Sequence, residues 1–283
     1  MENQILTNLD NEKLLDTFSG ELLDGKIQVQ SNRGYLSDTN KPQQDAVLSI
    51  VKNDKCFLNI VADGAGGSAD GALASAACIE EMGQWFLNIK EEELYDINNV
   101  IETLTYLIRD VDMYLWNRYH GCYSTIVLAL TINDKTIIAN VGDSTAYTYN
   151  AEIDDLELLS TRDSWANDLS YEDARWSSYN NVLTAAIGDG LCRYANFNVI
   201  DNNGQRIILS SDGVTDLVSD ETFISYFTNN SKVDKIINDA INNPEVFSYE
   251  EFDEDFKMKS EDNVSAIIID LPGRQLQKIK KRD

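Results

Sequence analysis

A chain of 283 residues with 43% hydrophobic content can bury one large core. Its 23 Lys/Arg against 48 Asp/Glu give a formal charge of −25, a field that repels nucleic acid and acidic membranes and favours cations or cationic partners, besides keeping the chain soluble. No apolar run approaches membrane-spanning length, and Cys56, Cys78, Cys122 and Cys192 show no paired spacing, which argues against a disulfide framework or a zinc site and for a reduced, cytoplasmic protein.

No Pro/Ser-rich linker or internal repeat interrupts the chain, so one domain is expected over 1–272, with 273–283 a basic tail. Residues 1–25 are expected to form a helix around Leu14, Leu15, Phe18 and Leu22. Ile27 to Gln30 alternates as a strand, and Ser31 to Gln43 is a polar loop with Arg33, Lys41 and Pro42. Asp45 opens a strand, Ala46 to Val51, that pairs with Cys56 to Ala62 through the turn at Asn53-Asp54. Two amphipathic helices follow. One spans about 70–89, and the other carries Ile101, Leu104, Ile108, Val111 and Leu115 on one face. Ser124 to Ile132 and Lys135 to Val141 form a hairpin at Asn133-Asp134, and their near-continuous apolar character marks central strands. Ala146 to Tyr149 and Leu156 to Ser160 are shorter strands, and 163–195 is irregular. A strand ends at Asp212, helical patterns fill 220–243, and an acidic loop over 245–262 returns to a last strand, Val264 to Ile269. Arg274 to Arg282 is most simply a solvated end, with electrostatic docking as the alternative.

The chemistry lies where strands stop. Cys56 to Ala62 is an apolar run ending in Asp63-Gly64-Ala65-Gly66-Gly67, a carboxylate followed by glycines that let backbone approach a ligand. A cap or turn is the bland reading of one such Asp. The construction recurs, however. Ile207 to Ser211 ends in Asp212-Gly213, Ile137 to Val141 ends in Gly142-Asp143-Ser144, and Glu261-Asp262-Asn263 leads into the last strand. Four carboxylates at strand ends can meet at one edge of a sheet sandwich and hold two divalent ions about 3.5–4 Å apart, with an activated water between them. The single histidine, His120, all but excludes a His-rich zinc site or a Ser-His-Asp triad.

In order, Gln44-Asp45, Asp63-Gly64-x-Gly66-Gly67, Val141-Gly142-Asp143-Ser144, Ser211-Asp212-Gly213 and Asp262-Asn263 resemble the motif series of the type-2C metal-dependent serine/threonine protein phosphatases. The resemblance implies an α+β fold, a four-layer α-β-β-α sandwich of two antiparallel sheets flanked by helix pairs. It implies two Mg²⁺ or Mn²⁺ ions bridged by Asp63, with the Gly64 carbonyl on one and Asp212 and Asp262 completing the other. Asp143 matches a third, weaker metal position, and Asp45 would orient metal-bound water. The substrate implied is a phosphoserine or phosphothreonine protein, with no nucleic acid and no membrane involved.

The chain departs from the family pattern at several points. Asn40 stands where many members have a phosphate-gripping Arg, so Lys41 or Arg33 is the candidate substitute. Ala65 replaces a His found in some relatives, Gln44 a carboxylate, and Thr145 an Arg. Thr161-Arg162-Asp163-Ser164 matches only loosely a stretch that usually has a His after its Asp. Two alternatives follow. One is a catalytically weakened regulatory or binding module, and the other a two-metal hydrolase of different phosphoesters.

Overall fold

The computed structural model describes residues 3–11, 13–34, 42–65, 70–165, 167–171, 173, 182–191, 195–244 and 262–273. Fifteen strands are named in chain order: β1 (Gln4–Thr7), β2 (Leu9–Asp10), β3 (Lys13–Leu14), β4 (Thr17–Leu22), β5 (Ile27–Asn32), β6 (Asp45–Asn53), β7 (Cys56–Ala65), β8 (Tyr123–Ser124), β9 (Ile126–Ile132), β10 (Lys135–Val141), β11 (Thr145–Asn150), β12 (Asp155–Leu158), β13 (Asn196–Asp201), β14 (Arg206–Ser210) and β15 (Val264–Asp270). The helices are α1 (Asp70–Asn88), α2 (Ile97–Arg118), α3 (Asp212–Thr215), α4 (Asp220–Thr228) and α5 (Val233–Asn242).

Alternation along the strands builds the layers. One sheet runs β1-β6-β7-β9-β10-β13 with β8 attached to β7, and the other runs β12-β11-β14-β15-β5-β4. Val47, Phe57, Val61 and Val127 of the first sheet meet Ile27, Val29, Leu209 and Ile267 of the second between the sheets. The alternate residues Leu48, Leu58, Ile60 and Leu128 face outward onto Cys78, Met82 and Phe86 of α1 and Leu104 and Ile108 of α2. Likewise Ile208, Ala266 and Ile268 face Phe223 and Tyr226 of α4 and Ile236 and Ile237 of α5. This is the expected four-layer α-β-β-α sandwich, and every strand pairing is antiparallel. Each fully buried Leu, Ile or Phe contributes about 1.5–3 kcal/mol, so the double-sided burial of β7 and β9 makes them the stiff centre of the fold. Cys56, Cys78 and Cys122 are buried thiols, as the sequence suggests.

The N-terminal expectation is corrected. Residues 4–22 form four strands, not a helix. Leu14, Phe18 and Leu22 share a helical spacing, but from Thr17 to Leu22 exposed and half-buried residues alternate with period two. Pairing of β4 with β5, through Phe18↔Ser31 and Leu22↔Ile27, outweighs local propensity. The helical pattern over 220–243 divides into α4 and α5, separated at Asn230, whose φ is +51°. β13 lies just beyond the segment read as irregular and completes the first sheet along β10. The expected loop over 245–262, apart from Asp262, and the tail beyond Gly273 lie outside the described residues.

Candidate active site

Antiparallel pairing fixes which residues share an edge. β6 begins where β7 ends, so Asp45 faces Asp63 directly across the ladder. β10 ends beside the start of β9, which places Gly142-Asp143 next to Thr125. β14 ends where β15 begins, which places Asp212 beside Asn263 and brings Asp262 to the same edge. All five aspartates singled out from the sequence therefore lie at one end of the sandwich.

The glycine after two of them is a packing requirement. A Cβ on Gly64 would lie 2.1 Å from the carbonyl oxygen of Gly71, and a Cβ on Gly213 would lie 2.0 Å from that of Asn263. The start of α1 thus sits directly on the end of β7 at Asp63-Gly64, and α3 sits on the entry to β15.

Short polar side chains hold the carboxylates. Asp45 is fully buried, and its Oδ2 accepts a hydrogen bond from Ser211 Oγ at 2.8 Å. Ser211 Oγ in turn accepts from the Ser265 amide at 3.1 Å. From the N-terminal segment, Asn8 donates to the Asp45 carbonyl at 2.8 Å and accepts from the Val47 amide at 2.9 Å. Gln43 Oε1 accepts from the Asp45 amide at 3.2 Å, and Asn263 Oδ1 accepts from the Gln44 amide at 2.8 Å. The Asp63 amide donates to Thr125 Oγ1 at 3.0 Å, while its carbonyl accepts from the Thr125 amide at 2.8 Å and Ser124 Oγ at 3.1 Å. Asp163 braces the turn that carries Asp143, accepting from the Gly142 amide at 3.0 Å and donating its own amide to the Gly142 carbonyl at 2.9 Å.

The electrostatics at this edge are unfavourable to the chain itself. Burial first, and then the charges of Asp45, Asp262 and Asp143, raise Asp63 well above the ordinary carboxylate range. Asp212 is raised well above it too, by burial and then by Asp63, Asp262 and Asp143. Asp45 is pushed up to about 6 by burial and then by Asp262, against the hydrogen bond from Ser211. Asp143 also reaches about 6, mainly through burial, with Arg162 pulling it down and Asp262 pushing it up. Among the described residues, two buried oxygens, Asp45 Oδ1 and Asp212 Oδ1, find no hydrogen-bond partner. Orphaned carboxylate oxygens in a like-charged cluster are expensive unless a cation joins them. An oxygen-only donor set of this kind suits a hard divalent ion. Among the described residues, no three His, Cys, Asp or Glu side chains already converge as the ligand set of a single ion.

The other residues singled out fall as follows. Arg33 pairs with Asp16 at 3.4 Å, while its carbonyl accepts from Asn263 Nδ2 at 3.0 Å, so its backbone borders the carboxylate edge and its guanidinium engages Asp16. Asn40, Lys41 and Gly66–Gly67 lie outside the described residues. His120 is exposed after α2, edge-on to Trp116 with ring centroids 5.2 Å apart. The supports Asn8, Thr125 and Ser211 escape sequence reasoning. Each is an isolated polar residue with no motif of its own, except that Ser211 precedes Asp212-Gly213.

The Protein phosphatase 2C family model matches residues 36–234, a span that includes Asp45, Asp63, Asp143 and Asp212 and stops before Asp262. A serine/threonine phosphatase, stp, from Listeria innocua is 27% identical over 214 residues, covering 68% of this chain and 78% of its own. The protein phosphatase PhpP of Streptococcus pneumoniae is 25% identical over 188 residues, covering 62% of this chain and 74% of its own. Among solved structures, the serine/threonine phosphatase Stp1 from Staphylococcus aureus superposes with a TM-score of 0.69 at 24% identity, over 87% of this chain and 95% of that one. That likeness carries the fold.

Proposed function

This chain belongs to the protein phosphatase 2C family, and from that premise we propose that it hydrolyses phosphoserine and phosphothreonine in proteins with the help of bound divalent cations. What supports the reading is the pair of buried oxygens, Asp45 Oδ1 and Asp212 Oδ1, that find no partner among the described residues and lie among mutually repelling carboxylates.

In this reading, Asp63, the Gly64 carbonyl, Asp212 and Asp262 would hold the Mg²⁺ or Mn²⁺ ions. Asp143 serves a third, weaker position. Such ions supply Lewis acidity, lowering the pKa of water and neutralising charge on the phosphoryl oxygens. The chain's own residues prepare the ground for this. Ser211 fixes one oxygen of Asp45, which leaves the other to accept a hydrogen bond from, and so orient, a water at the site. Thr125 and Ser124 pin the Asp63 backbone on both sides, so its carboxylate is set by the stiff central strands. Lys41 or Arg33 takes the phosphate, Arg33 by exchanging its half-exposed contact with Asp16, which is worth only about 0–1 kcal/mol. With Asn40 at the usual Arg position, the alternative of a weakened, binding-only relative stands on a specific residue.

The test is phosphate release from a phosphothreonine peptide with and without Mn²⁺. Activity that requires the ion and disappears with a chelator is expected. Metal binding without turnover would transfer the reading to the binding module, and full activity in stripped protein would remove the mechanism.

A further inference from the structure

A groove of 1180 Å³ lies over the outer face of α1, on the opposite side of this helix from its sheet. It exceeds the roughly 300–1,000 Å³ that accommodates a single small ligand. Its floor is the half-buried stripe Ala72, Leu73, Ala76 and Ala77 of α1. One wall is the β2–β3 hairpin, through Leu9 and Leu14, which also pack on the core beneath α1. These hairpin residues precede the stretch matched by the family model, so this wall is built by the chain's own N-terminal segment. The other wall is α2, where Tyr114 and Tyr119 sit edge to face with ring centroids 5.8 Å apart.

Two features define what the groove accepts. It is acidic. Asp16, Glu80, Glu81 and Asp110 line it against one lysine, Lys13. Glu80, Glu81 and Asp110 are exposed and make no ion pair among the described residues. One end of it is formed by residues next in the chain to the carboxylate edge. Pro42 and Gln43 line its end, Gln43 accepts from the Asp45 amide, and Ala72 follows the glycine that packs on Gly64. A segment lying in the groove is therefore directed toward the end of the sandwich that carries Asp45 and Asp63.

We propose that this groove is the docking track for the substrate chain on one side of its phosphorylated residue, and that it selects segments carrying Lys or Arg among small apolar residues. The proposal rests on the phosphatase reading above and names its substrate class. A phosphoryl group brings a charge of about −1.5 to −2 toward the site, and the chain it approaches carries −25. Cations on the same segment offset that repulsion and steer the encounter. Glu80, Glu81 and Asp110 meet those cations, the two tyrosines offer ring faces to them, and the alanine stripe admits an extended backbone.

The test uses the full chain with Mn²⁺ and three substrates: a phosphothreonine peptide with Arg/Lys flanks, the same peptide with Glu flanks, and p-nitrophenyl phosphate. The expected result is a kcat/KM at least tenfold higher for the basic peptide, shrinking as salt is raised. In the double variant Glu80→Lys/Glu81→Lys that preference should fall to near parity through KM, with p-nitrophenyl phosphate turnover within twofold of wild type. Binding of the fluorescent basic peptide without its phosphate, read by anisotropy, should weaken about tenfold in the same variant, and this arm needs no catalysis. Equal use of the two peptides, or a preference unchanged by the double variant, overturns the proposal while leaving the phosphatase reading intact. A gain of activity on every peptide, both in the double variant and on deletion of 274–283, overturns it in favour of this chain's own basic tail as the occupant. Failure on all three substrates with anisotropy binding retained removes the phosphatase reading and, with it, the role of the groove as a substrate track.

Discussion

At one end of the β14–β15 pair, Arg206 faces Asp270 across the ladder, and both charges are answered. Arg206 Nε donates to Asp270 Oδ1 at 2.7 Å and Nη2 to Oδ2 at 2.9 Å, while Nη1 reaches the carbonyls of Tyr226 and Ser231 at 3.1 and 2.8 Å. At the other end of the same two strands, Asp212 and Asp262 join Asp45, Asp63 and Asp143, burial and mutual repulsion raise the buried members, and two oxygens have no partner among the described residues. The strands are equally apolar between these ends, so the hydrophobic core does not explain the difference. A fork-shaped guanidinium with a carboxylate closes one end of the sandwich. The other end is left short of positive charge, at a cost in stability, and that shortage is what gives external cations a place.

Substitutions at the two ends should therefore fail in different ways. The largest effect is expected for Asp63→Asn, which removes charge from the residue proposed to touch both ions. Several kcal/mol of transition-state stabilisation would be lost, about a thousandfold or more in kcat/KM, as phosphopeptide hydrolysis would show. Its metal-free fold should be no less stable than wild type. Arg206→Met should do the reverse, costing about 2–3 kcal/mol in urea unfolding because a mostly buried pair and two carbonyls lose their donor. The folded fraction should retain kcat/KM within about twofold.

A third prediction concerns pH. The folded value for Asp45, about 6, lies above its ordinary 3.8. The stability contributed by its protonated form is thus fully present below about 3.8 and is lost as pH rises through 6. In chelator, wild type should lose on the order of 2–3 kcal/mol relative to Asp45→Asn between pH 4 and pH 7.5, since the amide cannot ionise. Parallel unfolding curves at both pH values would show that Asp45 carries no such strain. The smallest effect is expected at Asp143. Asp143→Asn should keep two bound ions and lose about tenfold in turnover, the scale of a weaker, peripheral position.

How much of this was legible in the sequence depended on whether a residue had a local signature. The strand-end aspartates had one, an apolar run followed by Asp-Gly or Gly-Asp, and the antiparallel order of the strands brings them to one edge. The two helices over α1 and α2 were legible for the same reason, a one-sided apolar period. The supports were not. Asn8 reaches Asp45 across 37 residues, Ser211 reaches it across 166, and Thr125 meets Asp63 across 62, and no local pattern records such meetings. The N-terminal strands were hidden because Leu14, Phe18 and Leu22 satisfy a helical period as well as a partly buried edge strand does. The groove was hidden with them, since one of its walls is the β2–β3 hairpin.

The central claim is that the carboxylate end is a charge shortage completed by divalent ions. A calorimetric titration of Mn²⁺ into chelator-treated full chain at pH 6.5, repeated in two buffers of different ionisation enthalpy, tests it most directly. Two bound ions are expected, and because burial and mutual repulsion raise Asp63 and Asp212 above the ordinary carboxylate range, any proton release on binding should grow as the pH is lowered. Both ions should be weakened together in Asp63→Asn. An absence of binding heat up to millimolar Mn²⁺, or an unchanged isotherm in Asp63→Asn, would contradict the account.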